Sequence, residues 1–210
     1  MIPLKAVIFD YGNVLSRPQT MDDMAAMAGV AGIAAADMHR LYWHFRPAFD
    51  RGDLDEPSYW SALANGAGRD FTGEQLREII RLDNESWSRP DAVMIRWAAT
   101  LRATGFRAGV LSNMPLTLRR YLTANVAWLR GFDQHTYSCD VHMIKPEAGI
   151  YEHALRELGV AAGEALFLDD RETNVEGARR VGLHALLFRS PRQARDELDG
   201  RFAIPRIELS

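Results

Sequence analysis

The segment 6–15 constrains this chain more than any other. Ala6-Val7-Ile8-Phe9 is a continuous apolar run closed by Asp10, and the turn residues Tyr11-Gly12-Asn13 follow at once. A short apolar run of this kind predicts a strand buried in a parallel sheet, and a carboxylate at its carboxyl end sits where open α/β sheets bind ligands. Three later segments supply what an Asp nucleophile acting on phosphate needs: Leu111-Ser112-Asn113, Ile144-Lys145-Pro146 and Leu168-Asp169-Asp170.

Brief apolar strands are expected at 5–10, 107–112, 136–139, 165–169 and 184–188. Helical patterns separate the later ones. From 146 to 158, Ile150, Ala154, Leu155 and Leu158 form one apolar stripe, Pro146 takes the first helical position and Gly159 is a natural stop. A second helix is expected at 174–181, and a third after Pro90, with Val93, Met94, Trp97 and Leu101 on one side. Strands alternating with helices imply an α/β fold with a parallel sheet covered on both faces. The stretch 16–89 differs, because it has no convincing strand. Met38, Leu41, Tyr42, Phe45 and Phe49 recur at helical spacing, and Thr72-Gly73-Glu74-Gln75 has the form of a capping box. The expected organisation is a core of 1–15 and 90–210, with 16–89 inserted as a helical cap placed to lid the end of the first strand.

With 210 residues, 47% of them hydrophobic, the chain has room for one ordinary domain or a core plus a smaller cap. A formal charge of −3 provides no basic surface and argues against nucleic acid as a partner. Cys139 is the only cysteine, so an intrachain disulfide is impossible. No run approaches the roughly 18–20 apolar residues that cross a membrane, and no secretory signal is evident. A cytoplasmic protein without membrane partners is expected, as a monomer or homodimer, and the apolar tail 202–207 could dock on the core or on a partner.

The chemistry follows from residue types. Asp10 can attack phosphorus to give an acyl phosphate that water hydrolyses, although a strand-end Asp also caps turns. Gly12 permits unusual backbone angles, and the N–H groups of the Gly12-Asn13 turn can hold phosphate oxygens. Ser112 and Asn113 offer a hydroxyl and an amide to a phosphoryl oxygen, or form an ordinary strand-end turn. Lys145 can point inward, neutralise phosphate charge and hold the nucleophile. Asp169 and Asp170 repel each other unless a cation offsets them, and oxygen-only ligands suit Mg²⁺. Asn174 could orient a metal-bound water.

Together these segments resemble the haloacid dehalogenase-like (HAD) hydrolase superfamily over nearly the whole chain. Phe9-Asp10-Tyr11-Gly12-Asn13-Val14-Leu15 is similar to its first motif, Leu111-Ser112-Asn113 to the second, Lys145-Pro146-Glu147 to the third, and Phe167-Leu168-Asp169-Asp170 with Asn174-Val175 to the fourth. The resemblance implies a Rossmann-like three-layer α/β/α core with a helical cap, and Asp10 as nucleophile. It implies Mg²⁺ held by the Asp10 carboxylate, the Gly12 carbonyl and Asp170, with Asp169 close by. Ser112, Asn113 and Lys145 would hold the phosphoryl group of a small phosphate ester. Most phosphatases of the superfamily carry a second Asp, a general acid and base, where this chain has Gly12. The Asp-x-Gly-Asn form resembles a branch that includes bacterial sugar-phosphate phosphatases such as α-D-glucose-1-phosphate phosphatase. The expected function is a Mg²⁺-dependent phosphatase of small monoesters, sugar phosphates among them. The alternatives are a binding protein of weak or no turnover, or a 2-haloacid dehalogenase using the same Asp on carbon. Within the cap, Tyr42, Trp43, His44, Arg46, Arg51 and Trp60 are candidates for specificity.

Overall fold

A computed structural model describes residues 1–209. Its centre is a five-stranded sheet in the order β3-β2-β1-β4-β5, with every pairing parallel. The strands are β1 (Ala6–Phe9), β2 (Arg107–Ser112), β3 (Gln134–Tyr137), β4 (Ala165–Asp169) and β5 (His184–Leu187). β1 is central because all four of its side chains are fully buried, and alternate residues serve opposite faces. Val7 and Phe9 face a cluster with Met94, Trp97 and Leu101 of α5 (Ala92–Ala103) and Leu118 and Leu122 of α6 (Leu116–Asn125). Ala6 and Ile8 face Ile150, Tyr151, Ala154 and Leu158 of α8 (Ala148–Leu158) and Val175 and Ala178 of α9 (Glu172–Arg180). This is the expected α/β fold, a Rossmann-like sheet with helices on both sides.

Four helices fall between β1 and α5: α1 (Met21–Ala31), α2 (Ala35–Arg51), α3 (Glu56–Gly66) and α4 (Gly73–Ser86). They enclose a hydrophobic cluster of their own, with Met27, Met38, Leu41, Tyr42, Phe49, Tyr59, Leu63 and Ile79. The Thr72 capping box forms, with Gln75 N–H donating to Thr72 Oγ1 at 3.2 Å and Thr72 N–H donating to Gln75 Oε1 at 3.0 Å. A second box at Thr20 and Asp23 opens α1.

Three expected boundaries move. β3 lies at Gln134–Tyr137 rather than 136–139, and Ser138–Val141 is a short helix, α7. The polar strand pairs because Gly109 of β2 opens space beside it, where a Cβ would meet Gln134 Oε1 at 3.3 Å. Pro146 does not take the first position of α8, which begins at Ala148 after Glu147, and the Lys145–Pro146 peptide is cis. α9 begins at Glu172, two residues before the expected start. The last helix, α10 (Pro191–Leu198), leads to a tail that docks on the core: Phe202 and Ile207 are buried, and Trp97 Nε1 donates to Pro205 O at 2.8 Å.

Candidate active site

The strand order reverses at β1 and β4, and their carboxyl ends carry Asp10, Asp169 and Asp170. Such a reversal leaves a crevice, because the connections on its two sides leave in opposite directions. Here the crevice is a cavity of about 290 Å³. Its wall includes Asp10, Gly12, Asn13, Ser112, Asn113, Lys145 and Asp170, so seven of the eight expected site residues are brought together. The eighth, Asp169, lies beneath them with no exposure.

Lys145 is the hub. Its Nζ lies 2.9 Å from Asp10 Oδ2 and 2.7 Å from Asp169 Oδ2, and donates to Leu111 O at 3.0 Å. Asn113 fixes the backbone that presents it. Lys145 N–H donates to Asn113 Oδ1 at 2.8 Å, and Asn113 Nδ2 donates to Lys145 O at 3.1 Å. The Asn113 side chain is thus engaged as a brace for Lys145, a use that strand-end chemistry did not suggest.

Asp169 is held by three donors. Besides Lys145 it accepts from Asn174 Nδ2 at 3.0 and 3.1 Å and from Arg171 N–H at 2.8 Å. The Asn174 amide is therefore committed to this carboxylate, where a metal-bound water had been the expectation. Asp170 Oδ2 accepts from Asn13 Nδ2 at 2.7 Å, and Asn13 Oδ1 is buried without a partner.

The turn after β1 corrects the reading of Gly12. Its φ is an ordinary −65°, and the left-handed residue is Asn13 at φ 62°. Asn tolerates that conformation better than most residues. What Gly12 supplies is space: a Cβ there would lie 3.2 Å from Cζ3 of Trp87, which follows α4.

Carboxylate oxygens of Asp10, Asp169 and Asp170 lie within 4.8 Å of one another. Burial pushes the Asp10 carboxyl up to about 8; Lys145 opposes this, and Asp169 and Asp170 add to it. Burial alone would lower Lys145, but Asp10 and Asp169 outweigh it and hold the ammonium charged. Three carboxylates thus share one buried cation, a set that favours a further cation, and oxygen donors suit a hard divalent one.

The inserted helices and the residue after them contribute Trp43, Arg46, Asp50 and Trp87 to the cavity, and Tyr11, Met114, Leu118, Arg171 and Asn174 complete the wall. Of the cap candidates, Trp43 and Arg46 reach the cavity. Tyr42 and Trp60 are buried in the hydrophobic cluster of the inserted helices, Arg51 pairs with Glu147 at 2.6 Å, and His44 is exposed. Asp50, Trp87 and Arg171 escaped sequence reasoning. Asp50 carried one usable signal, its i,i+4 spacing from Arg46 beside the buried stripe of α2.

A protein-family model described as haloacid dehalogenase-like hydrolase matches residues 4–182. The chain belongs to this family. This HAD-like hydrolase is 27% identical over 184 residues to the sesquiterpene phosphatase astK of Aspergillus oryzae, covering 87% of this chain and 88% of that one. It is 28% identical over 195 residues to flavin mononucleotide hydrolase 1 of Arabidopsis thaliana, covering 88% and 72% of the two chains. In fold it is similar to a HAD family enzyme from Bacteroides thetaiotaomicron solved with magnesium and inorganic phosphate, at a TM-score of 0.66 and 16% identity, covering 89% of this HAD-like hydrolase and 94% of that chain. Among the described residues no helix is long and apolar enough to cross a membrane.

Proposed function

We propose that this hydrolase is a Mg²⁺-dependent phosphatase of small phosphate monoesters, working through an aspartyl phosphate on Asp10. The observation that carries the reading is the surplus of negative charge around Asp10: three carboxylates within 4.8 Å against one buried lysine. A metal-free dehalogenase site would have no use for that surplus. The donor set fits Mg²⁺, which would be held by the Asp10 carboxylate, the Gly12 carbonyl and Asp170, with Asp169 close by. Bound there, it supplies positive charge that ionises Asp10 and offsets the phosphoryl oxygens.

The chain's own residues do the rest. Lys145 aims the Asp10 carboxylate and neutralises phosphate charge, Asn113 fixes Lys145, and Ser112 with the Gly12-Asn13 amides binds phosphoryl oxygens. Asp10 attacks in line, the ester bond breaks, and water then hydrolyses the acyl phosphate. In this reading 16–89 is a helical cap on a core of 1–15 and 90–210, and sugar phosphates of the kind taken by α-D-glucose-1-phosphate phosphatase are among the candidate substrates.

The test is phosphate release from p-nitrophenyl phosphate and a panel of sugar phosphates, with Mg²⁺ and with EDTA. Release is expected to need Mg²⁺ and to disappear in Asp10→Asn. Turnover that persists in EDTA, or in that variant, overturns the reading.

A further inference from the structure

An alcohol leaving group needs a proton on the departing oxygen, and hydrolysis of an acyl phosphate needs a base to activate water. Gly12 supplies neither, and the Trp87 ring occupies the space a side chain there would enter. Another group on the cavity wall must carry the proton. The ionisable side chains on that wall are Asp10, Tyr11, Arg46, Asp50, Lys145, Arg171 and Asp170. Asp10 is the nucleophile, and Lys145 and Asp170 belong to its charge cluster. The two guanidinium groups do not give up protons in the working range. The Tyr11 hydroxyl donates to Trp87 O at 2.9 Å, and burial pushes it above the ordinary phenol range. Asp50 remains.

We propose that Asp50 is the general acid and base of the reaction, acting from the cap in place of the side chain Gly12 lacks. The inference rests on the phosphatase reading above. Asp50 lies near the end of α2 and is 9% exposed. Its Oδ1 accepts from Arg46 Nε at 2.6 Å, and among the described residues no hydrogen bond uses Oδ2. The backbone is fixed against the phosphate-side loops. Asp50 O accepts from Ser138 Oγ at 2.5 Å, and Ser138 Oγ accepts from Met114 N–H at 2.9 Å, one residue after Asn113. The next residue, Arg51, donates to both Glu147 oxygens at 2.6 and 3.1 Å, two residues after Lys145. In-line attack by Asp10 puts the leaving oxygen on the side of phosphorus away from Asp10, and Asp50 lies on the wall of the same cavity.

The surroundings suit a group that alternates between two protonation states. Burial raises the Asp50 carboxyl, Arg46 lowers it by charge and by hydrogen bond, Asp83 raises it and Arg171 lowers it, leaving it above its ordinary value. Lys145 shares a neighbouring cavity wall with Asp50, and the His142 ring faces Gly52 at the end of the same helix.

The steps balance. As the Asp10 O–P bond forms and the ester P–O bond breaks, the proton on Asp50 moves to the departing oxygen and the alcohol leaves neutral. Asp50 is then a carboxylate beside Arg46. Water attacks phosphorus, its proton passes to Asp50, the Asp10 O–P bond breaks, and inorganic phosphate leaves with Asp10 ionised again.

The test compares kcat/KM for β-glycerol phosphate, whose alcohol needs the proton, with p-nitrophenyl phosphate, whose phenolate does not. In Asp50→Asn the alkyl ester is expected to fall by about 10²–10⁴-fold and the aryl ester by less than about tenfold. Equal losses on both esters, or no loss on the alkyl ester, overturn the assignment. Asp50→Glu keeps the acid and the pair with Arg46, and decides the matter if the Asn variant has no cooperative melt. It should retain alkyl-ester activity with a displaced alkaline limb in its pH profile, and a limb unchanged from wild type overturns the proposal. Failure of the phosphatase reading looks different, since the wild type would then release phosphate from neither ester.

Discussion

Replacing Lys145 by Met tests whether one buried cation holds the site together. The side chain is 1% exposed and lies within hydrogen-bond distance of a fully buried carboxylate, Asp169, and a nearly buried one, Asp10. Methionine fills similar volume, so the cavity contribution is small and the loss is electrostatic. Removing one partner of a buried ion pair costs about 3–5 kcal/mol, because the remaining charge is left uncompensated. At 2–4 °C per kcal/mol for a chain of this size, the melting midpoint should fall by roughly 6–20 °C. The assay is a thermal melt in EDTA at several pH values. The deficit should be largest at alkaline pH, where Asp10 is ionised, and shrink on acidification as its proton does part of the work of the lysine. Lys145→Met combined with Asp169→Asn should recover part of the loss. A Lys145→Met midpoint within about 2 °C of wild type at every pH would refute the reasoning, since it lies below the smallest expected shift.

Mg²⁺ affinity should depend on pH, because the Asp10 carboxyl, raised from 3.8 to about 8 chiefly by burial, must lose its proton to ligate. Its ionised fraction falls from about half at pH 8 to about one-hundredth at pH 6, so affinity should weaken roughly 50-fold, with about half a proton released per ion at pH 8 and about one at pH 6. Calorimetry in two buffers reads both quantities, and equal affinity at the two pH values would contradict the assignment. The sign carries over to stability. The raised folded value means that protonated Asp10 stabilises the metal-free fold below about 3.8, and this is lost as pH rises through about 8. Asp10→Asn should flatten that slope. Gly12→Ala should destabilise by about 1–3 kcal/mol, because the added methyl would lie 3.2 Å from a Trp87 ring that is anchored by hydrogen bonds. Trp87 Nε1 donates to Tyr42 Oη at 3.0 Å, and its carbonyl accepts from Tyr11. Trp87→Phe should relieve part of the cost, and a neutral Gly12→Ala melt would show that the ring yields.

The sequence by itself determined four of the five strands of the sheet and the acidic end of its centre. Asp10, Asp169 and Asp170 are legible because they end or follow short apolar runs, where open α/β sheets bind ligands, and Lys145 because it precedes Pro146 at a junction between loop and helix. The helices between β1 and α5 were legible in part from the period of Met38, Leu41, Tyr42, Phe45 and Phe49. Local pattern failed where a neighbour overrides propensity. Gln134 enters β3 because Gly109 makes room, and Gln134, His135 and Thr136 carry no apolar signal. Asn113 and Asn174 looked like ligands for phosphate or water, and only three-dimensional proximity assigns them to Lys145 and Asp169. Gly12 looked like a conformational device, and the packing of Trp87 makes it a steric one. The tertiary structure alone decided which side chains of the inserted helices line the cavity that Asp10 faces. Arg46 and Asp50 share a helix with the buried stripe, and periodicity cannot say whether a polar residue beside such a stripe faces solvent or a cavity. That depends on how α2 is clamped to the core through Ser138 and Glu147, contacts that span 88 and 96 residues of chain.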